Sequence, residues 1–537
     1  MKKKIFIGLL VIIGLLIGAV LGLEAYLNQK LDDALRHDLT YQLGYAYDID
    51  FKKASVSLFK NEVNIKNLSF SRNGVTNYDW VFTAAQVEFS GFRGLDFLMG
   101  KGFGVDSIVF LEPAIDMKRF AFSDYKSDST RTVKTVKPKT DRENADSLKI
   151  SIGGILCRGG ILNYDPEGPE QLSCYFDFAL KEIEFEGKVK NVEKLWSESL
   201  VLISDANYQF ADSVYSIHVD NISLSDIQND VLISNFSFVS NLSKADYPKH
   251  FGWRKSRLQI EIPELTIGRP KNFNDSLLVI SHINMDSIYF EIHKDTRYPW
   301  PDRVTKLPQG PVASLPFPVR VDSINFKNSE FKFIGVFEDN NHLEIYFNKI
   351  AGALTGFQNI DTTGALFAFN ATGKFMGESG FAMNTTYNYG VNDPFTLQAS
   401  MGKSKLFFIS DFLQGSAGIR ISDGEISELK VNMNGNTFGE YGYVDVFYNN
   451  LQIEAVDKDT GEKKWLLNAV TDIARGLLFW KENPDSKKFR RGDFSKERTV
   501  YKGFASQWIE GLFDGLLHSV AKIDPSKVSL KREKDKK

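Results

Sequence analysis

The sequence contains little cysteine, proline or methionine, and neither sign of charge is in strong excess. Only 2 cysteines, 8 methionines and 16 prolines occur among 537 residues, and the formal net charge is −3. Two cysteines cannot build a disulfide-dense mini-protein, and a near-neutral chain lacks the basic field typical of nucleic-acid binding. Because 43% of the residues are apolar and 25% are charged, wholesale disorder is also excluded. We therefore expect a folded protein that binds no nucleic acid.

The motifs of common enzymes and metal sites are missing as well. The 7 histidines are scattered, and none forms the His-x-x-x-His spacing of a zinc protease. The glycine-rich stretch 100–104 lacks the spacing of a phosphate-binding loop, and no Gly-x-Ser-x-Gly nucleophile elbow occurs. A glycosidase-type carboxylate pair stays open, because 68 acidic residues offer many pairs. The sequence predicts a non-enzyme with no catalytic residue, metal site or cofactor.

The two cysteines, Cys157 and Cys174, leave two interpretations open. An oxidising compartment would permit a disulfide between them. Alternatively, both are small buried apolar side chains.

One long apolar run occurs, at the N-terminus. Lys2–Lys4 precede an uncharged stretch of 19 residues, Ile5–Leu23. At about 1.5 Å per residue, this stretch nearly spans the hydrocarbon core of a bilayer. A cleaved signal peptide is the alternative, but Gly22–Ala25 matches a cleavage site poorly. We predict a single uncleaved span with a cytoplasmic N-terminus, because lysines stay on the cytoplasmic side.

Three glycines repeat within the predicted span. Gly14, Gly18 and Gly22 lie four residues apart, a spacing that lets two membrane helices approach closely. Dimerisation through this face is one interpretation, and the general abundance of glycine in spanning helices is the other.

Beyond the span, the apolar period defines the organisation of the chain. Leucines at every fourth residue from Leu27 to Leu43 predict an amphipathic capping helix. From residue 45 the period changes to two, which is typical of strands with one apolar and one polar face. The patterns predict an anchor, a capping helix, a β module, a polar linker, β repeats and a C-terminal region of amphipathic helices with a basic tail: residues 1–23, 24–44, 45–122, 123–147, 148–456 and 457–537.

Local irregularities in the strand pattern carry further predictions. The alternation slips by one residue at Asn67, which predicts a bulge or bend. An Asp-Ser-Ile-x-Phe sequence recurs within Val105–Phe110, Met285–Phe290 and Val321–Phe326. We interpret it as a structural repeat in which Asp-Ser forms a turn or bulge that re-registers the strand. The stretch Pro299–Pro318 holds six prolines, and we therefore expect it to be extended and unable to join a central sheet.

An apolar sheet face must be covered. It can pack on a second sheet or on helices, close into a barrel, or curl and leave a trough in which acyl chains lie. Each methylene buried in such a trough contributes roughly 0.8 kcal/mol. The candidate lining residues are Val63, Ile65, Leu68, Phe70, Val87, Phe89, Ile108, Phe110, Ile260, Ile262, Ile288, Phe290, Ile324, Phe326, Phe367 and Phe369.

The C-terminal region predicts an aromatic amphipathic helix followed by a basic tail. Residues 481–537 carry 15 Lys and Arg against 9 Asp and Glu. The helix can lie on an anionic bilayer, or it can close the end of the β structure. Gly511 and Gly515 are expected to weaken it locally. The residues predicted to share its apolar face include Trp508, Ile509, Leu512, Phe513, Leu516 and Leu517.

Several of these features resemble a known family. The basic N-terminus with one span, the stretch 51–71 with its Leu-Phe strand end and Ile-x-Asn-Leu turn, and Val105–Pro113 are similar to the AsmA-like proteins. These are relatives of TamB and YhdP in the repeating β-groove lipid-transfer superfamily. Ile161–Tyr164 also resembles a family pattern. The likeness covers residues 1–170 best, and beyond them it depends on periodicity.

The resemblance implies a fold and a function. The expected fold is mainly β: an N-terminal transmembrane helix, then an elongated, curled antiparallel β-sheet groove with terminal capping helices. The expected protein sits in the inner membrane, with most of its chain in the periplasm. It binds phospholipids and supports their transport to the outer membrane or the assembly of that membrane, with envelope assembly proteins as further expected partners. A non-catalytic envelope scaffold with a closed β core is the main alternative, and an envelope glycan hydrolase is the third.

Overall fold

The fold is mainly β, as the period-two patterning predicts. The computed structural model describes residues 20–29, 31–32, 47–72, 78–93, 103–119, 150–186, 188–189, 199–224, 230–270, 277–337, 342–360, 366–405, 410, 419–455 and 479–522.

Twenty-four strands and four helices lie within the described residues. The strands are β1 Tyr47–Asp50, β2 Lys53–Ser57, β3 Glu62–Arg72, β4 Tyr78–Ser90, β5 Phe103–Val105, β6 Ser107–Arg119, β7 Ile150–Tyr164, β8 Gln171–Glu186, β9 Lys188–Val189, β10 Leu200–Gln209, β11 Tyr215–Leu224, β12 Asp230–Ser240, β13 Arg257–Gly268, β14 Leu278–Asp286, β15 Tyr289–Asp295, β16 Val319–Val336, β17 His342–Gln358, β18 Leu366–Phe375, β19 Ser379–Asn388, β20 Phe395–Met401, β21 Ser404–Lys405, β22 Ile419–Gly435, β23 Gly439–Ala455 and β24 Gly492–Glu497. The helices are α1 (20–29 and 31–32), α2 Asp246–Phe251, α3 Gln309–Ala313 and α4 Phe504–Val520.

The chain divides into two compact units, residues 1–234 and 235–537. In the first unit, β1 and β2 pair with the two halves of β3, which pairs with β4, and β4 pairs with β6. The strand β6 lies parallel to β7, and β8, β10 and β11 then continue the ladder in antiparallel order.

The second unit repeats this plan. Both β14 and β15 pair antiparallel with β13 and parallel with β16. The strands from β16 to β20 form an antiparallel meander, which continues through β22 and β23 to β24.

The expected antiparallel sheet is confirmed only in part, because each unit also contains a parallel pairing and the sheet is mixed. Parallel neighbours need a long crossover connection. Between β6 and β7 the connection is residues 120–149, which include the predicted linker 123–147 and lie outside the described residues. Between β15 and β16 it is the proline-rich segment. As predicted, Pro299–Pro318 contains no strand, but the expectation that it is extended is wrong for residues 309–313, which form helix α3.

Residues with a left-handed backbone lie in line across the first unit. Asn67 in β3, Glu112 in β6 and Gly159 in β7 have φ values of 51°, 47° and 65°, and they occupy neighbouring register positions. Asn67 reverses the alternation of side chains, so that Ile65 and Leu68 contact the same apolar cluster. The predicted distortion at Asn67 is confirmed. The distortion is a local bend without an inserted residue, which we call a crease. The pairing of β3 with β1 and with β2 keeps the same register on the two sides of Asn67.

The three Asp-Ser copies leave the pairing register of their strands unchanged, and two of them interrupt a strand. Asp106 separates β5 from β6, Ser287 lies between β14 and β15 with φ 59°, and the third copy lies inside the continuous strand β16. The register of the parallel pairing is the same before and after each break. The N–H groups of Asp106 and Ser287 still donate to carbonyls of neighbouring strands, at 2.8 and 3.0 Å. The prediction that Asp-Ser re-registers the strand is therefore wrong.

Helix α1 covers a free strand edge in the first unit. Glu24 Oε1 accepts a hydrogen bond from the Leu58 N–H at 2.6 Å, Asn28 accepts one from the Val56 N–H, and Leu31 contacts the apolar cluster. These side chains satisfy backbone donors at the edge of the sheet. Within its described residues, this helix therefore packs against the edge of strand β2.

The predicted membrane span lies largely outside the described residues. None of the helices in the described ranges is long and apolar enough to cross a bilayer. Gly14 and Gly18 of the glycine face, residues 33–44 of the predicted capping helix and residues 457–478 also lie outside these ranges.

Both cysteines are buried free thiols. In the β7–β8 ladder Cys157 lies opposite Phe178, four residues from Cys174. That offset is about 13 Å along a strand, too long for a disulfide. Burial raises the pKa of both thiols, that of Cys157 to about 12. The structure therefore supports the interpretation as small buried side chains.

Candidate functional site

Strand β15 exposes its apolar face more than its polar face. Glu291 and His293, on one face, are only 4% and 7% exposed. Phe290 and Ile292, on the other face, are half-buried. A strand packed on an ordinary core would show the opposite distribution, so the half-exposed apolar face is the feature that requires a functional explanation.

The buried polar face is neutralised by neighbouring side chains. Lys244 Nζ lies 2.6 Å from Glu291 Oε1, and Arg297 pairs with Asp295 at 2.6 Å. Burial alone would raise the pKa of Glu291, but the hydrogen bonds from Lys244 and Tyr289 bring it below its ordinary value. Burial lowers the pKa of His293. This face is a fixed ionic network, which leaves the apolar face as the candidate binding surface.

A row of five phenylalanines crosses the strands on the apolar face. Ring centroids lie 5.4 Å apart for Phe290 and Phe331, and 6.1 Å apart for Phe331 and Phe347. Phe347 then contacts Phe375 at 4.9 Å and Phe381 at 5.1 Å. All five rings are half-buried. The phenylalanine row runs over β15 to β19, roughly 19 Å at the usual strand spacing.

A second aromatic pair lies further along β16. Phe326 and Phe369 stack at 5.6 Å with an interplanar angle of 14°. Gly352 lies beneath Phe326, and a Cβ there would come within 2.6 Å of Phe326 Cζ and 2.0 Å of the Asn370 carbonyl oxygen. Glycine at this position therefore leaves room for the ring to lie flat on the sheet.

The structure gathers most of the first-unit candidates into one cluster. Ile65, Val87 and Ile108 are buried there, with Leu68, Phe89 and Phe110 packed against them. Val63 is buried outside this cluster, and Phe70 contacts Trp80 at 5.2 Å. The buried ones among these side chains form a core, and their role in lining a lipid groove stays a prediction.

The second-unit candidates differ in exposure. Ile260 lies opposite Phe290 in the ladder and Ile262 is buried two residues further on. Ile324 packs against a small buried cluster, and Phe367 is 3% exposed in the largest core cluster. Ile288 is half-buried. The open part of this apolar face therefore contains Phe290, Phe326 and Phe369 together with row members that sequence reasoning did not select.

Those missed residues are Phe331, Phe347, Phe375 and Phe381. Phe331 and Phe333 do show the period-two signal, which could have selected them. Phe375 and Phe381 sit at strand ends beside the β18–β19 turn, where periodicity is short. Their convergence on Phe347 depends on cross-strand register, which a single sequence does not contain.

The C-terminal helix closes the sheet of the second unit. Trp508, Leu512 and Leu516 pack on the core cluster, whereas Ile509 and Leu517 are 51% and 44% exposed. Phe513 is half-buried. The prediction that all these residues share one face is therefore wrong, because i and i+1 positions diverge by about 100° around a helix. The closing role is observed, and contact of the outer residues with a bilayer stays a prediction.

No grouping of His, Cys, Asp and Glu suited to a metal ion occurs in the described part of the chain. Comparison with known proteins finds no matching protein-family model and no matching curated protein.

Proposed function

We propose that this chain is a membrane-anchored envelope protein that holds lipid acyl chains on its half-exposed apolar sheet face. In this role it supports transport of phospholipid to the outer membrane or the assembly of that membrane. The resemblance to AsmA-like proteins suggests this role. The phenylalanine row on β15 to β19 is the observation that supports it best.

The energetics of the row favour a mobile apolar guest. Each methylene that leaves water contributes roughly 0.8 kcal/mol, and half-exposed rings offer that burial to a ligand. Tilted and edge-on rings present similar apolar surface along the row. Sliding of an acyl chain then requires no covalent step, and the proposal includes no catalytic residue.

A scaffold function has one observation in its favour. The core under α4 is closed, with Met433 and Val444 fully buried, and the first-unit cluster is buried in the same manner. A protein that used only these closed cores would bind partners and no lipid. The scaffold function gives the half-exposed phenylalanine row no role, so we rank this alternative second.

A site-specific cross-link tests the proposal in cells. The photoreactive amino acid benzoylphenylalanine at Phe347 should form adducts with phospholipid, detected by mass spectrometry of the purified full chain. The control places it at Tyr346, the adjacent residue, whose side chain points to the opposite face. Phospholipid adducts at Phe347 alone support the proposal. Absent adducts at Phe347, or equal yields at both positions, would refute it.

A further inference from the structure

Three cationic side chains surround Trp300 at the end of the apolar face. Lys294 Nζ lies 4.3 Å from the centroid of the Trp300 ring, Arg254 Cζ lies 4.4 Å from it and Lys502 Nζ lies 5.6 Å from it. Tyr501 adds a ring contact with Trp300 at 5.5 Å. We call Arg254, Lys294, Trp300, Tyr501 and Lys502 the Trp300 cluster.

The cluster is held rigidly by main-chain contacts between distant segments. The Arg254 guanidinium donates to the carbonyl oxygens of Tyr298, at 3.1 Å, and Thr296. The Thr305 N–H donates to the Val500 oxygen at 2.8 Å, and its hydroxyl donates to the Tyr501 oxygen at 3.2 Å. The loop after β15 and the segment before α4 are therefore fastened together, which preorganises the cations.

Lys294 lacks a carboxylate partner in the described part of the chain. Its ammonium contacts the Trp300 ring and forms no hydrogen bond or ion pair with the described residues. Burial first, and then the charges of Arg254 and Lys502, lower its pKa to about 8. Lys502 itself is paired with Glu510 at 2.6 Å. The charged neighbours of this half-desolvated ammonium among the described residues are Arg254 and Lys502, so an anion that binds beside it stabilises its charge.

The position of Lys294 links the cluster to the apolar face. Lys294 follows Phe290 and Ile292 at two-residue steps on β15, so the three side chains share one face. Exposed apolar side chains lie beside the cluster, with Val304 70% and Val500 42% exposed. An anion bound here would therefore lie next to apolar surface, an arrangement that suits an amphipathic ligand better than a free ion.

We propose that the Trp300 cluster binds the phosphate group of an anionic phospholipid whose acyl chains extend along the phenylalanine row. Phosphate oxygens accept charge-assisted hydrogen bonds from ammonium and guanidinium groups. Tryptophan and tyrosine are suited to the boundary between headgroup and acyl chain. In taking a lipid as the source of the phosphate, this inference rests on the proposed function.

Calorimetric titration of the full chain in dodecyl maltoside tests the site with two probes. One is dihexanoyl phosphatidylglycerol, a water-soluble anionic lipid, and the other is inorganic phosphate. We expect the lipid to bind the wild type, and Lys294→Met to weaken this binding about tenfold, as for one charge-assisted hydrogen bond. Lys522→Met is the matched control, because it removes a lysine that lies 5.2 Å from another tryptophan ring, that of Trp480.

The outcomes separate the site from the proposed function. Lipid binding that Lys294→Met leaves undiminished, or absence of binding of both probes to the wild type, overturns the site. If inorganic phosphate binds as tightly as the lipid and Lys294→Met weakens both equally, the cluster is a site for free phosphate. That result overturns the proposal that the bound phosphate group belongs to a lipid. Phe290→Glu, in the row member on the same strand as Lys294, should weaken lipid binding and spare phosphate binding. If it spares both, the proposed function fails while the phosphate site stands.

Discussion

At the scale of single residues, the second unit contains a buried carboxyl group, that of Glu440. It lies on β23 beneath α4 and is 2% exposed. A Cβ added to Gly511 of the helix would come within 3.3 Å of its Cγ. Burial raises its pKa to about 7, against the lowering effect of the nearby Gln507. Neither carboxyl oxygen meets the geometry of a hydrogen bond with the described residues.

Glu440 should therefore make the stability of the second unit fall as pH rises. The folded chain keeps a proton on this carboxyl that the unfolded chain releases above its ordinary pKa of 4.5. The stability linked to the group is complete below pH 4.5 and is lost as pH rises through about 7. Glu440→Gln should remove this dependence and stabilise the chain at pH 8 by at most about 3 kcal/mol relative to wild type.

Urea unfolding of both chains at pH 5 and pH 8 measures this effect. Glu428→Gln is the control, because Glu428 is an exposed carboxylate paired with Lys430 on neighbouring β22. A Glu440→Gln chain with the same pH dependence as wild type would show that this carboxyl is ionised in the folded state.

At the scale of elements, α4 shows how small residues determine docking. Its most buried positions are Gln507, Gly511, Gly515 and Ser519, one turn apart. The expectation that Gly511 and Gly515 merely weaken the helix was incomplete, because both let it approach the sheet. A Cβ on Gly515 would lie 2.5 Å from Val444 Cγ2 and 3.0 Å from the Gly492 oxygen. At these two positions, the close packing of the helix on the strands therefore matters more than the low helix propensity of glycine.

Gly515→Ala should accordingly destabilise the chain, although alanine is the better helix former by roughly 1 kcal/mol. The added methyl overlaps strand atoms, and such overpacking costs about 1–3 kcal/mol. Gly380→Ala is the control, since Gly380 is exposed on β19 and nothing lies within 4 Å of its Cβ position. Thermal unfolding of the two variants should differ by several degrees. A Gly515→Ala chain as stable as Gly380→Ala would show that the contact with Val444 is not tight.

The sequence predicted the elements better than their pairing. Period-two alternation located the strands, and the slip at Asn67 located a crease, because both are consequences of side-chain direction within one strand. The parallel β6–β7 and β15–β16 pairs were missed, since they depend on crossover connections. The phenylalanine row was only partly predicted, because Phe347 meets Phe375 and Phe381 through cross-strand register. The Trp300 cluster joins residues more than 200 positions apart, and no local pattern indicates that.

At the scale of the whole molecule, each unit has its own buried apolar cluster. The half-exposed phenylalanine row belongs to neither cluster, so its side chains contribute less to stability than core residues do. A change in the row can therefore impair function in a chain that still folds. This separation lets a single substitution test the proposed function.

Phe347→Glu should block phospholipid movement to the outer membrane in cells and leave the protein folded. A carboxylate in the middle of the row interrupts the apolar path, and burying it under an acyl chain would cost several kcal/mol. Because Phe347 is half-buried, we expect the thermal midpoint to fall by only a few degrees. Tyr346→Glu, on the opposite face of β17, should transport normally. Pulse-labelling of phospholipid followed by membrane separation measures the transfer. Normal transfer in a folded Phe347→Glu chain would rule out acyl passage along the row.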